Sequence, residues 1–408
     1  MASRTRITLQ SAFLVGMAAN GMRPMSRTRA ELMGSSLILG WTASEVPLLC
    51  AVGQLGLLFR GRRHFGLFGR AALWLTTPVL LAIYAFMYLE GRKTRVITDS
   101  ALRDVLPDHT GPSLAGVPTR AARAYRPLPL LHRDYTTEET RNIAYGTDPR
   151  FHRLDIWRRP DIPVSQRTPV LVQIHGGGWM IGDNKTQALP LLAAAAEAGW
   201  TCVVPRYRLS PRATWPDQIV DVNAAIVWTK QNIATFGGDA SFVAITGGSA
   251  GGHLTSLAAL APHHSAFKPG FEDADTSVQA AVPFYGAYDW TDRDDTQGPT
   301  LAEFVGRWIV KESMTAAPET YLEASPRSWV RADAPPFFVL HGTNDSLLTV
   351  EQARAFVNDL RATSTSPVVY AELPFAQHAF DLTQSVRTRG VIPPILSFLN
   401  TAYESSRC

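Results

Sequence analysis

The sequence predicts an α/β fold, a mostly parallel central sheet flanked by helices, preceded by an apolar helical region suited to a membrane. Three observations carry this expectation. From Asn142 onward, short β-rich runs alternate with helical stretches. Several of those runs are apolar throughout, as strands buried on both faces of a parallel sheet are. Residues 71–89 contain no charged side chain at all.

Composition narrows the function classes. With 408 residues, 46% hydrophobic and 18% charged, the chain has a globular rather than a disordered balance. Its net charge of +4 hides an asymmetry: residues 1–135 hold 17 Lys/Arg against 7 Asp/Glu, whereas the remainder holds 22 against 28. The basic residues flank apolar runs, which suits anionic lipid headgroups and argues against a nucleic-acid partner. Cys50, Cys202 and Cys408 lie far apart, in neither a disulfide framework nor a metal-ligand spacing.

The N-terminal third is read as an anchor over residues 1–95. The run Ala71 to Leu89 approaches the roughly 20 apolar residues that a bilayer-spanning helix needs. Arg70 precedes it, and Arg92, Lys93 and Arg95 follow, while Trp74 and Tyr88 lie near its ends, as interface residues do. A second helical run, Met33 to Phe59, is interrupted by Glu45, Pro47 and Gln54; a lone carboxylate at membrane depth is costly unless it faces protein or water. Leu9 to Met22 follows Arg4 and Arg6 like a signal-peptide core, but no small-residue cleavage site comes after it, so an uncleaved anchor in the plasma membrane is expected. Positive charge flanks every run, which leaves the orientation open. Residues 96–135 read as a linker or cap, and 136–405 as the catalytic domain.

Within that domain the expected strands are Arg153–Trp157, Val170–His175, Thr201–Pro205, Phe242–Thr246, Val278–Tyr285, Phe337–His341 and Val368–Leu373. Helices are expected at 187–198, 216–235, 250–261, 301–312, 349–363 and 384–400. In the second of these, Ile219, Val222, Ala225, Ile226 and Thr229 recur at helical spacing.

Gly247-Gly-Ser249-Ala-Gly251 fits the G-x-S-x-G pattern between a strand, FVAIT, and a helix, AGGHLTSLAALA. Such an elbow exposes the serine hydroxyl on a strained turn, where side chains two positions to either side would collide unless they are glycine. His175-Gly176-Gly177-Gly178-Trp179 follows the strand VLVQI. Its glycines let backbone N–H groups turn toward a substrate oxygen. An oxyanion hole of Gly176, Gly177, Gly178 and Ala250 is therefore expected, with Trp179 lining the substrate pocket. A phosphate-binding loop is the rival reading, but it requires lysine directly after glycine, and here two residues separate Gly182 from Lys185.

A serine hydroxyl needs a base, and the base an orienting acid, in the chain order Ser, acid, His. Ser249, Asp345 and His378 satisfy that order, the last two in loops after predicted strands, at the sheet edge where ligands bind. Asp289 is the alternative acid, because its strand also ends near the site. His253, His341 and His175 are read as packing or turn residues.

HGGGW, GGSAGG, HGTND and QHAF, with Tyr207-Arg-Leu-Ser-Pro211 and Pro216-Asp-Gln-Ile-Val-Asp221, resemble the hormone-sensitive-lipase-like branch of the α/β-hydrolases over about residues 130–400. With its apolar N-terminal third, the chain is most similar to the membrane-anchored carboxylesterases of mycobacteria. The resemblance implies ester hydrolysis through an acyl-enzyme, with no metal and no organic cofactor. Two positions depart from it: Gly248 stands where the elbow usually has aspartate, and Ala379 where glycine is common. The expected partners are a small-molecule or lipid ester and the lipids around the anchor, with a lid formed by 288–332 or 96–135. Amide or formamide hydrolysis, or deacetylation, by the same triad is the alternative chemistry. An inactive membrane scaffold is the alternative from another class.

Overall fold

In the computed structural model, which describes residues 2–26, 30–114 and 134–407, four helices precede a single mixed sheet. Helices α1 (Ala2–Met22), α2 (Ala30–Glu45), α3 (Pro47–His64) and α4 (Leu67–Val105) form the N-terminal layer. Strands β1 (Ile143–Ala144), β2 (Arg153–Trp157), β3 (Thr168–Ile174) and β4 (Thr201–Pro205) come next, with α5 (Leu189–Glu197) between the last two. They are followed by α6 (Asp217–Asn232), β5 (Gly238–Gly248), α7 (Ala250–Leu260) and β6 (Ala280–Phe284). Two short helices, α8 (Pro299–Val305) and α9 (Pro318–Glu323), lead to β7 (Phe337–Gly342), α10 (Val350–Thr363), β8 (Val368–Leu373) and α11 (Val386–Ser405).

The strand order is β1-β2-β4-β3-β5-β6-β7-β8. β2 runs antiparallel to β1 and β4, and every later pairing is parallel. Successive side chains on a strand face opposite ways. Val170, Val172 and Ile174 enter one apolar core with Val243 and Ile245, while Leu171 enters the other with Phe242 and Ala244. A sheet with a core on each face needs apolar residues at every position, hence the unbroken runs.

The expected strands all occur, with β5 beginning four residues earlier and the short β1 added at one edge. The helix expected over 301–312 stops being α-helical at Val305 and continues as a π-turn over Gly306–Val310, ending at Lys311 in a left-handed conformation.

The N-terminal layer departs more. The run Met33–Phe59 is two helices, bent by 93° where Val46 leaves helical geometry and Pro47 starts α3. Proline has no N–H and a fixed φ, so it begins a helix readily and rarely continues one. Glu45 at the bend is buried, accepting from Arg387 Nε at 3.0 Å and from Ser385 Oγ at 2.8 Å. The carboxylate thus faces a buried guanidinium of the sheet domain.

The apolar run 71–89 forms part of α4, a helix of 39 residues, about 58 Å at 1.5 Å per residue. A linker was expected from residue 96, but the helix continues to Val105. Thr94, Thr98 and Leu102, spaced by one turn, are fully buried. They face α11: Thr98 Oγ1 lies 3.4 Å from Gly390 O, and Arg387 Nη1 lies 3.3 Å from Thr94 Oγ1. Most of the remaining expected linker, 115–133, lies outside the described residues.

Candidate active site

β5 runs straight into the turn that carries Ser249, whose φ of 60° and ψ of −123° hold it in a sparsely populated conformation ahead of α7. The turn closes only because small residues flank it. A Cβ on Gly247 would meet Ile174 O and Gly251 O, each at 2.6 Å, and one on Gly251 would collide with Ile174 O. Ser249 Oγ is 2.8 Å from His378 Nε2, and His378 Nδ1 is 2.7 Å from Asp345 Oδ2. The elbow after β5, the loop after β7 and the loop after β8 thus bring together three side chains spread over 129 residues.

Asp345 is buried, which by itself would raise its carboxyl pKa. The facing His378, together with hydrogen bonding from His341 and His378, outweighs that burial and holds it below the ordinary carboxylate range. Its other oxygen accepts from the N–H groups of Leu347 and Leu348, at 2.8 and 2.9 Å. Asp345 is therefore a fixed anion, oriented by backbone donors on one side and presented to the imidazole on the other. The arrangement lets His378 take a proton from the Ser249 hydroxyl, with the developing imidazolium charge balanced.

The competitors fall elsewhere. Asp289 is buried among Thr291, Arg293 and Arg327, with Arg293 Nε at 2.7 Å. His253 accepts from Trp179 Nε1 at 3.2 Å, stacks on Trp290 and faces Ala324 O at 2.7 Å; burial pushes its pKa down to about 3, so it stays neutral. His175 is pushed down to about 4 by burial, under the ring of Tyr207. His341 Nε2 faces Leu348 O at 2.9 Å and Asp345 at 3.3 Å, behind the carboxylate.

Among the expected oxyanion donors, one is corrected. Gly176 N–H donates to Gln187 Oε1 at 2.7 Å, which turns it away from a substrate oxygen. Gly177 and Gly178 have φ of 115° and 59°. Ala250 is the first residue of α7, and a first-turn N–H has no intrahelical partner. Among the described residues, the hydrogen bonds of the structure leave the N–H groups of Gly177, Gly178 and Ala250 unused. Trp179, with Gly178 and Ser249, lines a cavity of about 460 Å³ that Leu301, Phe304 and Trp308 also line. That volume lies within the roughly 300–1,000 Å³ range of small-molecule sites. The 288–332 segment, one of the two expected lids, thus contributes directly to the wall.

Residues 154–360, half of the chain, match the BD-FAE family. The chain belongs to that family. Over 391 residues it is 45% identical to the probable carboxylic ester hydrolase LipM of Mycobacterium tuberculosis, covering 94% of this chain and 90% of the relative. Esterase LipQ of the same organism is 47% identical over 276 residues, covering 68% of this chain and 65% of LipQ. A truncated form of a carbohydrate esterase from gut microbiota superposes with a TM-score of 0.55 at 23% identity, over 66% of this chain and all of that one, a likeness of fold. This BD-FAE member is an α/β-hydrolase and a carboxylic ester hydrolase.

Two residues near the site escaped sequence reasoning. The Tyr285 hydroxyl donates to the buried Asp381, and the Tyr285 ring lies 4.6 Å from that of His378. Burial raises the Asp381 carboxyl, partly opposed by the Tyr285 hydrogen bond. A Cβ on Gly248 would meet the Tyr285 hydroxyl at 2.6 Å, so this phenol occupies the space that an elbow aspartate would need. The unusual GGSAGG elbow is matched to a tyrosine 37 residues after Gly248.

Proposed function

We propose that Ser249 is the nucleophile, His378 the general base and Asp345 the acid that orients it, in a membrane-anchored lipase of hormone-sensitive-lipase-like type. The observation that carries the reading is the unbroken contact from Ser249 Oγ through His378 to Asp345, at 2.8 and 2.7 Å. Ser249 Oγ attacks the ester carbonyl while its proton passes to His378 Nε2. The N–H groups of Gly177, Gly178 and Ala250 hold the negative oxygen, each such donor being worth about 10²–10³ in turnover. The carbon–oxygen bond to the alcohol breaks, and His378 returns the proton to the leaving oxygen. Water, deprotonated by His378, then attacks the acyl-enzyme and releases the acid and the serine. A fluorophosphonate probe applied to the detergent-solubilised enzyme is expected to form an adduct that peptide mapping assigns to Ser249; an adduct only on another residue would sink the assignment.

Residues 1–95 serve as the anchor and 136–405 as the catalytic unit, acting on lipid esters at the plasma membrane. Support comes from α4, the helix long and apolar enough to cross a bilayer, and from where apolar surface is exposed. Of 23 exposed large hydrophobic side chains among the described residues, 19 lie between Leu9 and Val96. So lopsided a distribution fits a lipid-facing layer and not a soluble surface. After alkaline carbonate washing of membranes the full chain is expected in the pellet. Release into the supernatant would make the N-terminal layer a soluble cap.

A further inference from the structure

The cavity beside Ser249 has a wall that does not come from the sheet domain. Met33 and Gly34, on α2, line it together with Gly178 and Trp179. Both lie outside the segment matched to the BD-FAE family, and more than 200 residues before the serine.

This wall is fixed relative to the reacting atoms. Trp41, two turns along α2 from Met33, donates its indole N–H to Ala379 O at 2.8 Å, next to His378. Asn344, next to Asp345, donates from Nδ2 to Gly21 O at the end of α1, also at 2.8 Å. The Glu45–Arg387 pair closes the far end of α2. Three contacts thus tie α1 and α2 to the loops that carry the base, the acid and the start of α11.

We infer that Met33 and Gly34 set the length of the hydrocarbon chain the ester may carry, so that a bilayer-facing helix acts as the chain-length gauge of the site. The inference rests on the Ser249 reading above. Three observations argue for it. The cavity beside Ser249 is lined mostly by apolar side chains, Met33, Leu301, Phe304, Trp308, Leu347 and Leu348, with Glu303 and Arg307 as its charged members. The same helix also exposes Ile38 at 63% and Leu32 at 36%, beside Glu31 and Ser35, so apolar surface outside the cavity lies on the helix that lines it. Gly34 has no side chain where one would reach into space: a Cβ there meets nothing within 4 Å. A side chain at position 34 would therefore add bulk beside the cavity without displacing a neighbour.

The test is a ratio. Wild type, Gly34→Ala and Gly34→Leu, each as the full detergent-solubilised chain, are assayed on p-nitrophenyl esters from acetate to dodecanoate and on acetates of alcohols of the same lengths. A leucine at position 34 is expected to lower the ratio of kcat/KM for the longest to the shortest ester by about 10-fold or more in one series. Single methylenes in an apolar pocket are worth that much. Alanine should fall between, and the affected series identifies whether the chain is acyl or alkyl. A ratio unchanged in both series, whether total activity holds or falls evenly, overturns the inference. Fluorophosphonate labelling of Ser249 separates the two possible failures. A missing adduct in wild type defeats the nucleophile assignment, whereas an intact adduct with an unchanged ratio defeats only the gauge.

Discussion

Ser249→Ala is expected to lower kcat on a p-nitrophenyl ester by about 10⁴–10⁶, with the folded state intact. The side chain is small and its loss deletes one described hydrogen bond, that to His378 Nε2. The strained backbone at φ 60° is no worse for alanine than for serine. Some catalysis should survive, because the N–H groups of Gly177, Gly178 and Ala250 still polarise a bound carbonyl for attack by water. The informative comparison is with His378→Ala and the double variant. Residues that act as one unit are grossly non-additive, so the double variant should be no slower than the worse single. Steady-state rates of the three, with circular dichroism to verify folding, decide the matter. Losses that multiply would mean that serine and histidine act in separate steps, and a loss below about 100-fold for Ser249→Ala would place the nucleophile elsewhere.

The parts of this molecule that were legible in the sequence are those where a local pattern has one physical cause. The run FVAIT into GGSAGG reads as strand, strained turn and helix because only glycine tolerates the approach of Ile174 O and Gly251 O at position 247. Strands such as Thr168–Ile174 are apolar at every position because both faces of the sheet are covered. What was not legible depends on partners far along the chain. Glu45 reads as a costly charge in an apolar run until Arg387, 342 residues on, is placed against it. The helical face of Thr94, Thr98 and Leu102 has too little apolar character to announce itself, since threonines meet α11 through small contacts and hydrogen bonds. The N–H of Gly176 is taken by Gln187 across a loop whose path no periodicity encodes. Gly248 reads as a departure from a motif, and only the fold shows that the Tyr285 hydroxyl fills the vacated space. Met33 and Gly34 fall in a segment that reads as anchor, with no signal linking them to a cavity beside Ser249.

Asp345→Asn is expected to reduce kcat by about 10⁴ without unfolding the protein, and the argument is one of proton placement. The wild-type carboxylate accepts from Leu347 N and Leu348 N through one oxygen and faces His378 Nδ1 at 2.7 Å, with His341 Nε2 at 3.3 Å, through the other. An asparagine must keep its carbonyl oxygen toward the two backbone donors, because reversing it would set N–H against N–H. Its amide group then points at His378 Nδ1 and donates to it. The imidazole is driven to carry its hydrogen on Nε2, where it can no longer take a proton from Ser249. The imidazolium formed during turnover also loses its facing anion. Asp289→Asn is the matched control, because Asp289 bonds Arg293 and Arg327 rather than the imidazole. That change should lower the thermal midpoint while leaving kcat within a few-fold. Turnover of p-nitrophenyl butyrate, read beside thermal unfolding for both variants, separates the two carboxylates. A collapse of kcat in Asp289→Asn with Asp345→Asn still active would transfer the acid's role to the other loop. The expected result instead ties turnover to a single hydrogen position on one imidazole ring, held there by two backbone N–H groups that never touch the substrate.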